Sequence, residues 1–210
     1  MIFKDRVDAG KKLAGALKQW DFSNGLVLAI PRGGVVVGAE VARALNIGLD
    51  LIIPRKIGAP QNPEVALGAV AQDGTTFFDK FLLSKLDLTP RDLSDTVHCE
   101  MVEIKRRMEV YRNSTAGPDL TGRPVIVVDD GVATGYTMLA ALRSVKKFAP
   151  LAVTLAIPVA PPAVLVLLEK EVDQVVCLLA PENFYAVGQF YQNFDQTGDD
   201  EVVRLLRELV

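Results

Sequence analysis

Short apolar runs recur along the chain, each about the length of a buried strand and most followed by residues at helical spacing. LVLAIP (26–31), LDLIIP (49–54), RPVIVVDD (123–130), LAVTLAIP (151–158) and QVVCLLA (174–180) read as strands covered on both faces. Val7, Leu13, Ala14, Leu17 and Trp20 predict an amphipathic helix over 5–20. Further helices are expected over 35–45, 90–111, 137–148 and 162–170, and near 199–209, with a short strand at 75–78. Buried strands alternating with helices predict an α/β fold, a doubly wound parallel sheet in a single domain over 1–210. Ligands of such sheets sit at the carboxyl ends of strands where the strand order reverses. The loops after Ile30, Ile53 and Val128 are therefore the candidates, and they have the most unusual compositions.

One stretch breaks the alternation. Residues 55–74 carry Gly58, Pro60, Pro63, Gly68 and Gly74, and are too long for an ordinary connection. Either a functional lid or a hairpin would account for them.

Composition narrows the classes. Half of the 210 residues are hydrophobic and 23% are charged, which suits a globular domain with a sizeable core. A formal net charge of -3 provides no global field for nucleic acid or anionic lipid. Two cysteines without CxxC spacing and one histidine argue against a disulfide framework and a Cys/His zinc site. Residues 151–168 are uncharged, but Pro158, Pro161 and Pro162 would interrupt a membrane helix, so strand, turn and helix are expected there. The opening residues have no signal-like apolar core. A cytoplasmic protein with no nucleic-acid or membrane partner is expected.

The chemistry concentrates in VIVVDDGVATGYTM (125–138). Asp129 and Asp130 end a strand, where two carboxylates are costly unless solvated or engaged. Gly131, Val132, Ala133, Thr134 and Gly135 then bring successive amides to a helix N-terminus, an arrangement that attracts anions. Carboxylates accept from vicinal hydroxyls, while amides and the Thr134 and Thr137 hydroxyls suit phosphate. A ribose phosphate asks for both. After the first core strand, Gly33 and Gly34 permit close backbone approach to an anion, and Arg32 offers a donor fork. A dinucleotide fingerprint fails, because Val35 stands where the second glycine of GxGxxG belongs, and no GK[ST] phosphate loop is present.

Four apolar residues, two acids and a small-residue loop ending in Thr-Gly-x-Thr resemble the signature of type I phosphoribosyltransferases. IPRGGVVVGAEVA, PRKIGAPQNPEVALGAV and PENFYAVGQFYQNF extend the likeness to an uncharacterised bacterial and archaeal group. The resemblance implies that fold, with a small hood from 1–22 and 181–210. It implies transfer of a 5-phosphoribosyl group from phosphoribosyl pyrophosphate (PRPP) to a nitrogen acceptor, with Mg2+ as cofactor. By the same resemblance Asp129, Asp130 and Arg32 are catalytic, and Asp129 through Thr137, Tyr136 included, bind PRPP. Pyrophosphate falls to Arg32, Gly33, Gly34, Arg55 and Lys56. No direct protein ligand to the metal is implied beyond proximity to Asp129 and Asp130.

Phe184 and Tyr185 are the acceptor-stacking candidates, although a minicore packing the tail onto the sheet accounts for most rings in 184–194. Ala133 departs from the 6-oxopurine enzymes, which place an aspartate there, so such an acceptor is disfavoured. The rival readings are a PRPP-binding regulator without turnover and a phosphohydrolase. Regulators of that kind often carry a basic or DNA-binding addition that is not seen here, and the DxDxT pattern of one phosphohydrolase class is missing. A homodimer is entertained as the assembly. His98, mid-helix beside Cys99, reads as a helix-face residue, and Cys177 as core.

Overall fold

A computed structural model describes residues 2–209. Five strands form a parallel sheet in the order β2-β1-β6-β7-β8: β1 (Leu26–Ala29), β2 (Gly48–Leu51), β6 (Pro124–Val128), β7 (Ala152–Val159) and β8 (Gln174–Leu179). Alternate residues of the central strands feed two cores. Val27, Ala29, Ile126 and Val128 face one side, packed with Leu13 and Leu17 of α1 (Arg6–Leu17), Val37 and Val41 of α2 (Gly33–Leu45), and Leu205 of α7 (Asp199–Leu209). Leu28, Val125, Val127 and Leu155 face the other, against Met138 and Leu142 of α5 (Tyr136–Lys146) and Leu168 of α6 (Pro162–Leu168). Burial on both faces is why these strands read as continuous apolar runs.

Local capping agrees with the sequence. The Asp5 side chain accepts from Asp8 N at 2.8 Å and starts α1. α2 ends on Asn46 in the left-handed conformation, a residue type that tolerates it. The helix expected over 90–111 is a 3-10 turn over Pro90–Leu93 running into α4 (Ser94–Arg112).

Residues 55–74 resolve as a hairpin. β3 (Arg55–Ala59) and β4 (Asn62–Val70) pair antiparallel, and β5 (Thr76–Phe78) adds a third strand to this second sheet. Irregular registers flank Gly58, which is why no clean alternation marks the first strand. A short helix, α3 (Lys80–Lys85), follows.

The strand order fixes where a ligand belongs. From β1 the chain crosses to β2 on one side, while β6, β7 and β8 progress to the other. The order reverses between β1 and β6, whose last residues, Ala29 and Val128, are register partners. Their outgoing loops, 30–34 and 129–135, therefore leave the sheet side by side.

Candidate active site

Ile30 N donates to Val128 O at 2.9 Å, extending the β1–β6 pairing to the mouth of both loops. Beyond it, a Cβ on Gly34 would lie 2.9 Å from Asp129 Cα, and one on Gly33 would overlap Asp130 Oδ2. At Gly34 a side chain would run into backbone, whereas at Gly33 the Asp130 and Arg6 side chains would have to move aside. The Pro31–Arg32 peptide bond is cis.

Asp129 Oδ1 accepts from the Asp130 amide at 2.8 Å. Burial, then the negative charge of Asp130, pushes the Asp129 carboxyl well above its usual range. Asp130 is held from two sides: Arg6 Nε donates to its Oδ2 at 2.7 Å, and the Tyr191 phenol donates to its carbonyl at 2.6 Å. Burial and these neighbouring acids raise the Tyr191 phenol, keeping it a donor.

The loop after the acids divides its labour. Val132 N is spent on Val159 O at 2.9 Å, which pins the loop to β7 and removes that amide from anion binding. The amides of Ala133, Thr134, Gly135, Tyr136 and Thr137 make no hydrogen bond among the described residues. Gly135 caps α5 at φ +81°, a conformation that suits glycine. A Cβ on Gly131 would meet Val187 Cγ1 at 2.5 Å, so the turn presses against the C-terminal segment. Five free amides at the start of an eleven-residue helix make a cradle suited to a phosphate dianion.

Arg32, just before Gly33, has a partner of its own: Nη1 lies 3.6 Å from Asp199 Oδ1, which also accepts from the Tyr111 phenol at 2.7 Å. Burial, then Asp199, pushes that phenol up to about 12. Arg55 and Lys56 lie on β3 and are engaged elsewhere, with Glu100 at 2.6 Å and Glu64 at 3.7 Å. No described contact joins them to Arg32 or the acids. Tyr185 is 90% exposed, and the Phe184 ring packs on Phe190, with centroids 5.4 Å apart. Most of the tail aromatics form the expected minicore, in which Phe3, Ala9, Phe190 and Tyr191 pack together. His98 and Cys99 are exposed on α4.

Tyr136 turns away from the acids to donate to Asp79, which also caps α3 by accepting from Leu82 N at 3.0 Å. Both residues line an open groove of about 1100 Å³, together with Thr134, Phe77, Lys80 and Arg143. Arg6, Asp79 and Asp199 are contributions that no motif announced. Each reaches its partner across more than fifty residues of chain, and nothing in its local sequence marks it.

A family model described as the phosphoribosyl transferase domain matches residues 3–195. Two Mycobacterium tuberculosis proteins, each named "Putative phosphoribosyl transferase", are 40% identical over 205 residues, covering 98% of this chain. The chain spans 46% of their length. The crystal structure of TT1426 from Thermus thermophilus superposes with a TM-score of 0.84 at 40% identity, covering 100% of this chain and 99% of that one. A purine phosphoribosyltransferase from Pyrococcus horikoshii shares the fold at a TM-score of 0.51 and 17% identity, over 91% and 92% of the two chains. With the domain match running from the first core helix to the segment that holds Asp130, the chain belongs to the phosphoribosyltransferase family.

Proposed function

We propose that this chain transfers a 5-phosphoribosyl group from PRPP to a nitrogen acceptor and releases pyrophosphate. One observation carries the reading: the arginine-glycine loop after β1 and the two acids before the free-amide cradle meet at the switch point of the sheet. Hydroxyl acceptors then lie between two anion sites, the order in which a ribose bears its diol, 5-phosphate and pyrophosphate. Asp129 and Asp130 accept from the ribose hydroxyls, the amides of 133–137 with the Thr134 and Thr137 hydroxyls take the 5-phosphate, and Arg32 with Gly33 and Gly34 takes pyrophosphate.

In the step itself the bond from the anomeric carbon to the pyrophosphate oxygen breaks and a bond to the acceptor nitrogen forms. The carboxylates stabilise the positive charge that develops on the ribose, and Arg32 the negative charge on the leaving group. Asp199 holds Arg32 only loosely, at 3.6 Å, so the guanidinium can turn to an anion without losing a tight pair.

Among the described residues no group of three or more acidic, histidine or cysteine side chains is placed to hold a metal. The donor set would suit a Mg2+ ion that arrives with PRPP, with Asp129 and Asp130 as the acidic side chains near it. Bound there, Mg2+ supplies neutralisation of the pyrophosphate charge. Ala133 offers no carboxylate to an acceptor base, which favours acceptors other than 6-oxopurines.

A panel of nucleobases incubated with PRPP and Mg2+, scored for pyrophosphate release, tests the reading. One base should turn over, and Asp129→Asn/Asp130→Asn should slow it by about 100-fold or more. PRPP binding without turnover of any base would favour a non-catalytic regulator, and failure to bind PRPP would sink the proposal.

A further inference from the structure

Asp130 is fixed by a residue far outside its motif. Arg6, at the start of α1, donates from Nε to Asp130 Oδ2 at 2.7 Å and from Nη1 to the Asp195 carbonyl at 2.7 Å. Its guanidinium lies over the Phe194 ring, 3.9 Å from the centroid. The side chains of Arg6 and Asp130 are only 12% and 15% exposed. An arginine stacked on a ring, bonded to a carbonyl and paired with a carboxylate has little freedom left, unlike a typical surface ion pair. On the same side of Asp130, the point where a Gly33 Cβ would fall lies 2.6 Å from Arg6 Nε. Oδ2 is thus closed off by Gly33 and Arg6, while Oδ1 accepts from no protein donor among the described residues, and the Asp129 carboxyl lies within hydrogen-bonding reach of the Asp130 carboxyl.

We propose that Arg6 is a positioning residue of the active site. It occupies Oδ2 of Asp130, fixes the plane of the carboxylate and leaves Oδ1 as the acceptor presented to one ribose hydroxyl. This role rests on the PRPP reading above. It also gives the adjacent acids a countercharge. The groups around them are Arg6 from α1 and, from the C-terminal segment, the Tyr191 phenol on the Asp130 carbonyl and the Asp195 carbonyl on Arg6. The start of α2 brings Gly33 and Gly34, with Arg32 before them, while Val159 of β7 and Val187 are apolar. The Arg6 charge lowers the carboxyl pKa of Asp129 against the larger effect of burial. Removing that charge lets Asp129 take up its proton at higher pH, and a protonated carboxyl is a poorer acceptor for a hydroxyl.

Calorimetric titration of PRPP and, separately, of pyrophosphate into the full chain between about pH 5 and 8 tests the role. Arg6→Met should weaken PRPP binding by about tenfold or more near neutral pH. It should leave pyrophosphate binding unchanged and move the acidic limb of the PRPP profile to higher pH. Arg6→Lys keeps the charge but not the fork, so it should restore the limb while recovering only part of the affinity. If Arg6→Met does not fold, Arg6→Lys alone decides, because PRPP affinity equal to wild type would overturn the proposal. Equal losses for PRPP and pyrophosphate, or an unmoved acidic limb in Arg6→Met, would also overturn it. A wild-type chain that binds no PRPP removes the underlying function, and this role with it.

Discussion

A carboxyl group that burial pushes upward is a stability cost at neutral pH, and Asp129 is such a group. The unfolded chain releases that proton near the ordinary value of 3.8, while the folded chain holds it to higher pH. As pH rises through this window the unfolded state ionises first, so the native state loses relative stability until the folded group has also ionised. Asp129→Asn should therefore raise Tm near pH 8 while weakening PRPP binding, with the Tm gain shrinking toward pH 4. Thermal unfolding across that range measures it, and a Tm loss at pH 8 would show that the carboxylate is structural. The acids were legible in the sequence because two carboxylates at a strand end have few structural uses. Arg6 was not legible, because its pairing with Asp130 spans 124 positions and its neighbours Lys4 and Asp5 look like any solvated start to a helix.

At the scale of elements, the position of α5 decides where the amide cradle points. Asp79 connects three elements: it follows β5, caps α3 through Leu82 N, and accepts from the phenol of Tyr136, the first residue of α5. The Tyr136 and Phe77 rings pack with centroids 5.3 Å apart. Tyr136, read from the motif as part of the phosphate loop, thus gives its backbone to the cradle and its side chain to the second sheet. The Tyr136 hydrogen bond above all, and then the Leu82 amide, hold the Asp79 carboxyl below its usual range. Asp79→Ala removes a cap and a bond to an ionised acceptor, and should cost about 2 kcal/mol in urea denaturation. A loss below about 0.5 kcal/mol would mean that solvent replaces both contacts. Five parallel strands and their helices could be read as periodicity, but the hairpin of 55–70 could not, because glycine, proline and shifted registers erase its alternation.

Across the whole molecule, the two chain-terminal segments meet beside the site. Phe3 N donates to Phe190 O at 2.8 Å, Gln192 N returns a bond to Phe3 O at 2.8 Å, and Phe3 bridges Tyr191. The Phe3 ring is fully buried, 5.3 Å from the Tyr191 ring, and Tyr191 in turn holds the Asp130 carbonyl. α1 meanwhile packs into the main core through Leu13, Ala14 and Leu17, so this first helix is part of the scaffold as well as the neighbour of the tail. Phe3→Ala should cost about 3–5 kcal/mol. It should also weaken PRPP binding, because the segment that carries Tyr191 and Phe194 loses its anchor. Denaturation and calorimetry on the same variant check both effects, and a stability loss with unchanged PRPP affinity would separate the minicore from the site. No helix among the described residues is long and apolar enough to cross a membrane.

The sequence alone determined the parallel α/β sheet, the two loops that carry the chemistry and the family resemblance. Burial on both faces leaves apolar runs, and a phosphate-binding turn needs particular residues at short spacing. Those are local constraints, written in adjacent positions. Only the tertiary structure decided that β1 and β6 are neighbours at a reversal of strand order, that Gly33 and Gly34 abut the acids, and that Val132 serves the scaffold. It alone brought Arg6, Tyr191 and Phe194 around Asp130. Such contacts depend on the three-dimensional approach of distant segments, and a carboxylate does not record in its own motif which arginine will meet it.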